Sequence, residues 1–350
     1  MLDVRKEQFG FLPDGQEVSL YLLRNDAGAT LAISDFGAII QSLRFPSASG
    51  EYRDVVLGYD RLDDYLRDDA YMGACVGPYA NRIARAELPV ADAPVQLDAN
   101  EGDNCLHSGV DSVARKFFRV EKKDKSNLLF HYKLNEGDSH FPGSLELTIH
   151  YSFDDDMCLK IQYFARSSED SFFNFTNHSY FNLNGAGVGR LAEMRLSLNS
   201  SFYAELDEKH LPTGAILPLA DTYLDLRESR RLGAVFQAQE AAGEAAGLDD
   251  YFFVDGSRAK MLRHFASLSS EDEKLKMDLH SNESGLQVYT ATALSERVGK
   301  SGAHYGPFAA ICLETGKPAD SPHFYHFPNS FVAKNQVYHS KNIFKFSSKL

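Results

Sequence analysis

The stretch 174–185 places amide and hydroxyl side chains among large aromatic residues around a single histidine, His178. A strand that serves only for packing would carry Val or Ile at some of these polar positions. An imidazole held by neighbouring amides can give or take a proton near neutral pH. The stretch therefore predicts a polar pocket with a proton-transfer histidine, although taken alone it fits a hydrogen-bonded turn around a structural histidine equally well.

Four further segments have the same character, each with a charged, amide or imidazole group near glycine or an aromatic residue. They are 77–83 with Asn81 and Arg82, 104–109 with His107, 247–252 with Asp249, and 313–318 with Glu314. Taken singly, Arg82 fits a surface ion pair and Asp249 fits a turn, whereas His107 and Glu314 stay open. Glu314 ends the apolar strand predicted over 308–313, where an unpaired buried carboxylate would be costly. Together the set suits a neutral polyhydroxylated ligand, which needs many directional hydrogen bonds at once.

Strands must position most of these groups. Apolar and polar residues alternate over 145–153 and again over 159–163, after an Asp-rich turn, which predicts an antiparallel hairpin. Shorter alternating runs lie at 130–134, 194–198 and 286–290. This recurrence of strands with turn residues between them is typical of all-β proteins.

Helical signals are few. An Ala- and Glu-rich stretch at 233–247 predicts a short helix or an insertion, and 59–65 predicts one helical turn. Strand signals continue through the middle of the chain without a linker. We therefore expect an all-β fold, a large antiparallel β-sandwich with few short helices, in a single domain over 1–350.

The composition argues against several classes of function. The chain has 350 residues, of which 43% are hydrophobic and 24% charged, and its net charge is -13. We expect no nucleic-acid partner, because phosphate binding needs a basic face. No apolar run is long enough to cross a bilayer, and the N-terminus lacks the apolar core of a signal peptide. The four cysteines form no C-x-x-C pair, which indicates reduced thiols in a cytoplasmic protein without a membrane partner.

The order of these motifs resembles that of the aldose 1-epimerase family, the galactose mutarotases. The matching segments follow one another along nearly the whole chain: 34–38 (SDFGA), 54–59 (DVVLGY), 79–83 (YANRI), 104–109 (NCLHSG), 141–143 (FPG), 177–183 (NHSYFNL), 211–214 (LPTG), 225–227 (DLR), 287–290 (QVYT) and the Glu314 segment. No single motif is decisive, but so many in the family's order are highly specific.

The resemblance implies a galactose mutarotase-like supersandwich with an open sugar cleft, and it implies roles for the site residues. His178, protonated, would be the general acid toward the ring oxygen, and Glu314, ionised, would be the general base toward the anomeric hydroxyl. The substrate-binding residues would be Asn81, Arg82, His107, Asp249 and Gln287. The implied reaction interconverts the α and β anomers of free aldohexoses such as galactose and glucose. It needs no metal and no organic cofactor; the implied partner is a monosaccharide, and we expect a monomer or homodimer.

Three positions depart from the family pattern. Gly316 stands where Gln is usual, His323 where Asn is usual, and Asp250 where His or Asn follows the binding aspartate. Gly316 and His323 lie in the loop after Glu314, so we expect both at the rim of the cleft near the anomeric carbon. They leave the acid and the base intact and bear on substrate preference.

Three alternatives remain open on the sequence alone. His107, His178 and Glu314 are also a two-histidine, one-carboxylate set that suits a metal enzyme. A non-catalytic sugar-binding module is disfavoured, because it has no need of both an acid and a base. A hexose-6-phosphate epimerase would need several basic residues around the cleft, where a motif places only Arg82.

Overall fold

The computed structural model describes residues 4–47, 50–90, 93–256 and 261–349. Strands dominate these ranges, and the α-helices among them are Leu62–Arg67 and Leu232–Ala241. The strand pairings within the three large sheets are antiparallel. The all-β, antiparallel prediction is therefore confirmed.

Three large sheets form the framework. The first has five strands in the order Arg5–Phe11, Glu17–Arg24, Thr30–Ser34, Ile40–Pro46 and Tyr52–Asp54. The second has nine strands in the order Arg119–Lys122, Asn127–Leu134, Leu145–Phe153, Cys158–Ser167, Tyr338–Ser348, Leu275–Ser281, Arg263–Ser269, Arg195–Leu198 and Arg230–Arg231. The third has six strands in the order Tyr180–Phe181, Ile311–Gly316, Gly285–Tyr289, Asp249–Val254, Ser200–Leu206 and Pro212–Pro218.

Short elements lie outside the large sheets. The two-stranded pairs are Cys105–Leu106 with Arg82–Ile83, Thr176–Asn177 with Cys75–Val76, Ser171–Phe172 with Phe331–Val332, Arg297–Val298 with His304–Tyr305, and Glu87–Leu88 with Val95–Gln96. The 3₁₀ turns are Ala84–Ala86, Gly109–Asp111, Val113–Arg115, Leu191–Glu193, Lys300–Gly302 and Ser321–His323. The first two pairs carry residues of the predicted site or lie next to them.

One strand of the nine-stranded sheet packs against both other sheets. Phe346 lies 4.8 Å from Phe45 of the five-stranded sheet, and Phe344 lies 5.4 Å from Phe181 of the six-stranded sheet, measured between ring centroids. Both phenylalanines belong to the strand Tyr338–Ser348, where alternate residues share a face. Buried apolar residues of all three sheets form one continuous cluster. The apolar alternation in the sequence thus corresponds to the inner faces of a sandwich.

The predicted hairpin is confirmed: Leu145–Phe153 pairs with Cys158–Ser167 in antiparallel register. The helix predicted over 233–247 forms as Leu232–Ala241. It ends before Gly243, whose φ of 86° leaves the helical region and favours glycine. The turn predicted over 59–65 is the helix Leu62–Arg67.

The strand predicted over 308–313 is displaced along the chain. It runs over Ile311–Gly316, because Phe308 has a left-handed φ of 60° that is incompatible with a strand. Glu314 therefore lies inside a buried strand and not at its end. Among the helices in the described ranges, none has the length and apolar character needed to span a membrane. The single domain over 1–350 stays a prediction.

Candidate active site

The residues that the sequence singled out line one cleft of about 280 Å³. They are Asn81, Arg82, His107, His178, Asp249, Gln287 and Glu314. A larger groove of about 410 Å³, on the five-stranded sheet, contains none of them. The fold therefore brings together side chains from segments that are far apart in the sequence.

Three of these side chains share one face of the six-stranded sheet. Gln287 stands directly opposite Glu314, on the neighbouring strands Gly285–Tyr289 and Ile311–Gly316. Asp249 comes from the next strand, and its Oδ1 accepts a hydrogen bond of 2.7 Å from Gln287 Nε2. Because side chains alternate between the faces of a sheet, this register places two carboxyl groups and an amide side by side in the cleft.

His178 is fixed through its backbone and its ring. Its N–H donates to the Ala74 carbonyl at 2.8 Å, and its own carbonyl accepts from Gly73 N–H at 2.9 Å. The imidazole packs beside Tyr180, with ring centroids 5.1 Å apart. Nε2 lies 3.6 Å from Oε1 of Glu314. An imidazole and a carboxyl group thus face each other at the bottom of the cleft, with 5% and 7% of their surfaces exposed.

Burial sets the protonation of this pair. Burial, with the charge of Asp249 adding to it and that of Arg82 opposing it, raises the pKa of Glu314 to about 8. Burial also lowers the pKa of His178 to about 4. Taken singly, both groups are neutral near neutral pH, whereas the sequence reasoning assumed an ionised Glu314 and a protonated His178. The two arrangements hold the same number of protons and differ by the transfer of one proton within the pair.

His107 and Asn81 are joined by two hydrogen bonds. His107 N–H donates to the Asn81 carbonyl at 3.0 Å, and Asn81 N–H donates to His107 Nδ1 at 3.1 Å. Their φ angles, 53° and 68°, are left-handed, which is uncommon for a residue other than glycine. Because Nδ1 accepts a hydrogen bond, the neutral ring carries its hydrogen on Nε2. Burial, with the charges of His178 and Arg82, holds the pKa of His107 well below its ordinary value, so the ring is a neutral donor.

Arg82 is held by a carboxylate that the sequence reasoning missed. Nε and Nη2 of Arg82 donate to the two carboxylate oxygens of Glu101 at 2.7 and 2.8 Å. Glu101 itself lines the cleft. A bidentate pair of this kind fixes the plane of the guanidinium group. Glu101 precedes His107 by six residues, but no motif in the sequence marks it as a partner of Arg82.

Other residues that line the cleft were not among the predicted site residues. Tyr71 and Tyr289 surround the imidazoles together with Tyr180, and Asp69, Ser295 and Arg297 also line the cleft. Arg297 is already paired, because its two terminal nitrogens contact Asp68 and Asp69 at 2.9 Å each. Both arginines that line the cleft therefore have carboxylate partners.

Gly316 does not lie at the rim of the cleft, which corrects the expectation from the sequence. It stands opposite Gly285 in the strand register. A Cβ atom on Gly316 would come within 2.4 Å of Oδ1 of Asn174. Gly316 is therefore a requirement of close packing beneath the site and is not a substrate contact.

His323 also lies outside the lining of the cleft. Its Nδ1 lies 2.6 Å from Oδ1 of Asp320, and the same oxygen accepts a hydrogen bond of 2.9 Å from Ala84 N–H. Asp320 N–H in turn donates to the Arg82 carbonyl at 2.7 Å. The loop after Glu314 thus braces the segment that carries Arg82.

Asp250 does not line the cleft either, and burial together with the charge of Asp249 raises the pKa of Asp250 to about 7.

The metal alternative receives no support from the geometry. In the part of the chain that the structure describes, no group of three or more His, Cys, Asp and Glu side chains is arranged to hold a metal ion. Nδ1 of His107 is occupied by the Asn81 N–H. The site is better described as an acid–base pair within a set of hydrogen-bonding groups.

Comparison with known proteins places the chain in one family. A family model described as aldose 1-epimerase matches residues 19–345. Galactose mutarotase from Bos taurus is 31% identical over 349 residues, covering 99% of each chain. Aldose 1-epimerase from Escherichia coli is 29% identical, covering 95% of this chain and 96% of the relative. The solved structure of an aldose epimerase homologue from C. elegans superposes with a TM-score of 0.87 at 26% identity, covering 95% of this chain and 99% of that one. The chain belongs to the aldose 1-epimerase family.

Proposed function

We propose that the protein interconverts the α and β anomers of free aldohexoses, with Glu314 and His178 as the proton-transfer pair. The observation that carries the assignment is the buried contact of 3.6 Å between His178 Nε2 and Glu314 Oε1, in a cleft lined by polar side chains. A non-catalytic sugar-binding module would not need such a pair. The names of the relatives describe the same reaction.

The reaction needs two proton transfers on opposite sides of one bond. Glu314, as carboxylate, takes the proton from the hydroxyl on C1, and His178, as imidazolium, gives a proton to the ring oxygen. The C1–O5 bond breaks, and C1 becomes an aldehyde. Rotation about the C1–C2 bond presents the other face of the aldehyde. The hydroxyl on C5 of the open chain then attacks C1, returning its proton to His178 while Glu314 returns a proton to the carbonyl oxygen.

The two halves of this cycle use the two protonation arrangements of the pair. Ring opening begins with ionised Glu314 and protonated His178, and it ends with both groups neutral. Ring closure begins with both neutral, which is the arrangement that burial favours. The pair thus passes one proton back and forth through the substrate and needs no other acid or base.

The remaining groups suit hydroxyl recognition away from C1. The Asp249–Gln287 pair offers an acceptor and a donor at 2.7 Å from each other. Nε2 of His107 carries a hydrogen and can donate, because Nδ1 is occupied. Arg82 keeps Nη1 for a ligand while Glu101 holds Nε and Nη2. Positioning of this kind is a large catalytic effect in its own right.

The charge of the cleft favours a free sugar over a sugar phosphate. Arg82 and Arg297 line the cleft, and both are neutralised by carboxylates. Asp249 adds a further carboxyl group with no arginine partner. A phosphate would have to displace these carboxylates from their arginines. We therefore propose a neutral monosaccharide as the substrate; a cytoplasmic location and a monomeric or homodimeric state stay predictions.

Polarimetry tests the proposal directly. Freshly dissolved α-D-galactose or α-D-glucose should reach its equilibrium rotation faster with the protein, and Glu314→Gln should abolish the acceleration while sugar binding persists. Asp35→Asn is the matched control: Asp35 is a buried carboxyl group with a pKa raised to about 6, and it lies outside the cleft. A Glu314→Gln variant with activity close to that of the wild type would refute the base assignment.

A further inference from the structure

The side of the His178 ring that faces away from Glu314 meets a thiol. Sγ of Cys312 lies 3.6 Å from Nδ1 of His178, and both side chains are buried. Cys312 comes two residues before Glu314 on the strand Ile311–Gly316, so the two side chains share a face. One strand therefore contacts both nitrogens of the imidazole, Nδ1 through Cys312 and Nε2 through Glu314.

The chemistry of this contact differs from that of the usual partners of a catalytic histidine. Burial, with the charges of Glu314 and Asp249, raises the pKa of the Cys312 thiol well above its ordinary value, so the group stays uncharged. A thiol is both a weak donor and a weak acceptor. It can therefore stay in contact with Nδ1 whether or not that nitrogen carries a hydrogen. A carboxylate there would hold the ring protonated, and a backbone N–H would hold it neutral.

We infer that Cys312 is a positioning residue for His178, whose sulfur accepts a hydrogen bond from Nδ1–H when the ring is protonated and keeps Nε2 directed into the cleft. The inference rests on the proposed role of His178 as the general acid. Nδ1 keeps its hydrogen when Nε2 gives its proton to the ring oxygen. The sulfur thus serves the ring both before and after the transfer, and it does not contact the substrate.

Several titratable side chains face the His178 ring. Within the described residues they are His107, Tyr71, Tyr180, Tyr289, Cys312 and Glu314. Among these, Cys312 is the one within hydrogen-bond distance of Nδ1. Removing the sulfur should therefore leave Nδ1–H of the imidazolium without a partner in a buried place, which lowers the pKa of His178.

Substitution at Cys312 tests the inference. We expect Cys312→Ala to lower kcat by between about twofold and tenfold, the range that one neutral hydrogen bond supports, with little change in KM. The acidic limb of the pH profile should move to lower pH. Cys312→Ser, which keeps a donor and acceptor of similar size, should restore both kcat and the limb. Cys158→Ala is the control, because Cys158 is a buried cysteine on the nine-stranded sheet, away from the cleft.

Two results of the activity measurements would overturn the inference. One is a Cys312→Ala variant with the kcat and acidic limb of the wild type. The other is an equal loss in Cys312→Ala and Cys312→Ser without a shift of the limb, which would indicate packing alone. If the alanine variant does not fold, the Nδ1 nitrogen resonance of His178 provides a second measurement. The resonance is identified by its absence in His178→Asn, and it should differ between the wild type and Cys312→Ser. An unchanged resonance would also refute the inference. Activity close to that of the wild type in His178→Asn would instead refute the proposed role of His178 as the general acid.

Discussion

The protonation of the Glu314–His178 pair makes a sharp prediction about pH. The one-proton state of the pair exists between the pKa of His178, about 4, and that of Glu314, about 8. We expect kcat/KM to be flat between these values, and to fall about tenfold for each pH unit beyond them. Both limbs belong to the pair, so they report the one-proton state whichever group holds the proton.

The structure also indicates why this state can be catalytic. The separation between pKa values of about 4 and about 8 disfavours the ionised pair by about 5 kcal/mol. Two unit charges 3.6 Å apart attract each other by about 5 kcal/mol at an effective dielectric constant of about 20. The two terms are of similar size, so the attraction between the two charges offsets most of the cost of burying them. Ring opening can then begin from an ionised pair whose cost is much smaller than burial alone would impose.

The alternative is a pair that titrates as it would in water. Its limbs would then lie at the ordinary values of 4.5 for Glu and 6.5 for His. At about pH 7.5 that profile would already have fallen about tenfold, whereas the buried pair would still be close to its plateau. Measurements at about pH 7.5 therefore distinguish the buried pair from a pair that titrates as it would in water.

Polarimetry at low sugar concentration gives kcat/KM, after the spontaneous rate is subtracted at each pH. A decline that begins near the ordinary value of histidine would refute the reasoning from burial. Asp249→Asn provides a second check, because the charge of Asp249 contributes to the raised pKa of Glu314. In that variant the alkaline limb should move to lower pH, separately from any rise in KM.

Four further predictions follow from the same contacts. The pKa of Glu314 is about 8 when folded and 4.5 as the ordinary value, so between these values unfolding releases a proton and the wild type loses stability as pH rises. Glu314→Gln should therefore raise the free energy of unfolding by up to about 3 kcal/mol near pH 7, measured by denaturant titration, and by nothing at about pH 4. His178→Asn should lose kcat, whereas His107→Asn should also raise KM; the reverse pattern would exchange the two roles. Glu101→Gln, which weakens the hold on Arg82, should raise KM more than it lowers kcat, and an unchanged KM would contradict the clamp. Gly316→Gln should destabilise the protein in thermal melts, because its Cβ would meet Asn174; a variant with wild-type stability and a changed KM would return Gly316 to the rim of the cleft.

Sequence reasoning worked where the information is local or carried by a chain of motifs. The alternation over 145–153 predicted the strand Leu145–Phe153 with its bounds, because the buried residues there are apolar, apart from Ser152 near the end of the strand. The seven proposed site residues, which line one cleft, were identifiable because the motifs of the chain occur in a known order. The predicted bounds of the strand over 308–313 were wrong, because the left-handed backbone of Phe308 makes the strand begin later in the chain.

Contacts between side chains of distant segments could not be predicted from the sequence. Nothing in the turn before His107 indicates that Glu101 would face Arg82, because that contact depends on how two short strands meet. Cys312 was similarly indistinguishable from any small buried cysteine. The protonation of Glu314 also escaped, since the burial that raises its pKa comes from elements spread over the whole chain.

The glycines that face each other at the end of the site strands have a consequence for how the protein folds. A Cβ on Gly285 would lie 2.3 Å from the Tyr251 hydroxyl oxygen, and one on Gly316 would lie 2.4 Å from Asn174. If the pairing between Gly285–Tyr289 and Ile311–Gly316 slipped by one residue, a side chain such as that of Thr315 would enter space that only glycine fits. The side chain of Glu314 would then point into the core instead of into the cleft. The mispaired ladder is therefore blocked by atoms that take no part in the chemistry. Chains refolded from denaturant should regain activity in step with their native spectrum, without a population that is folded but inert.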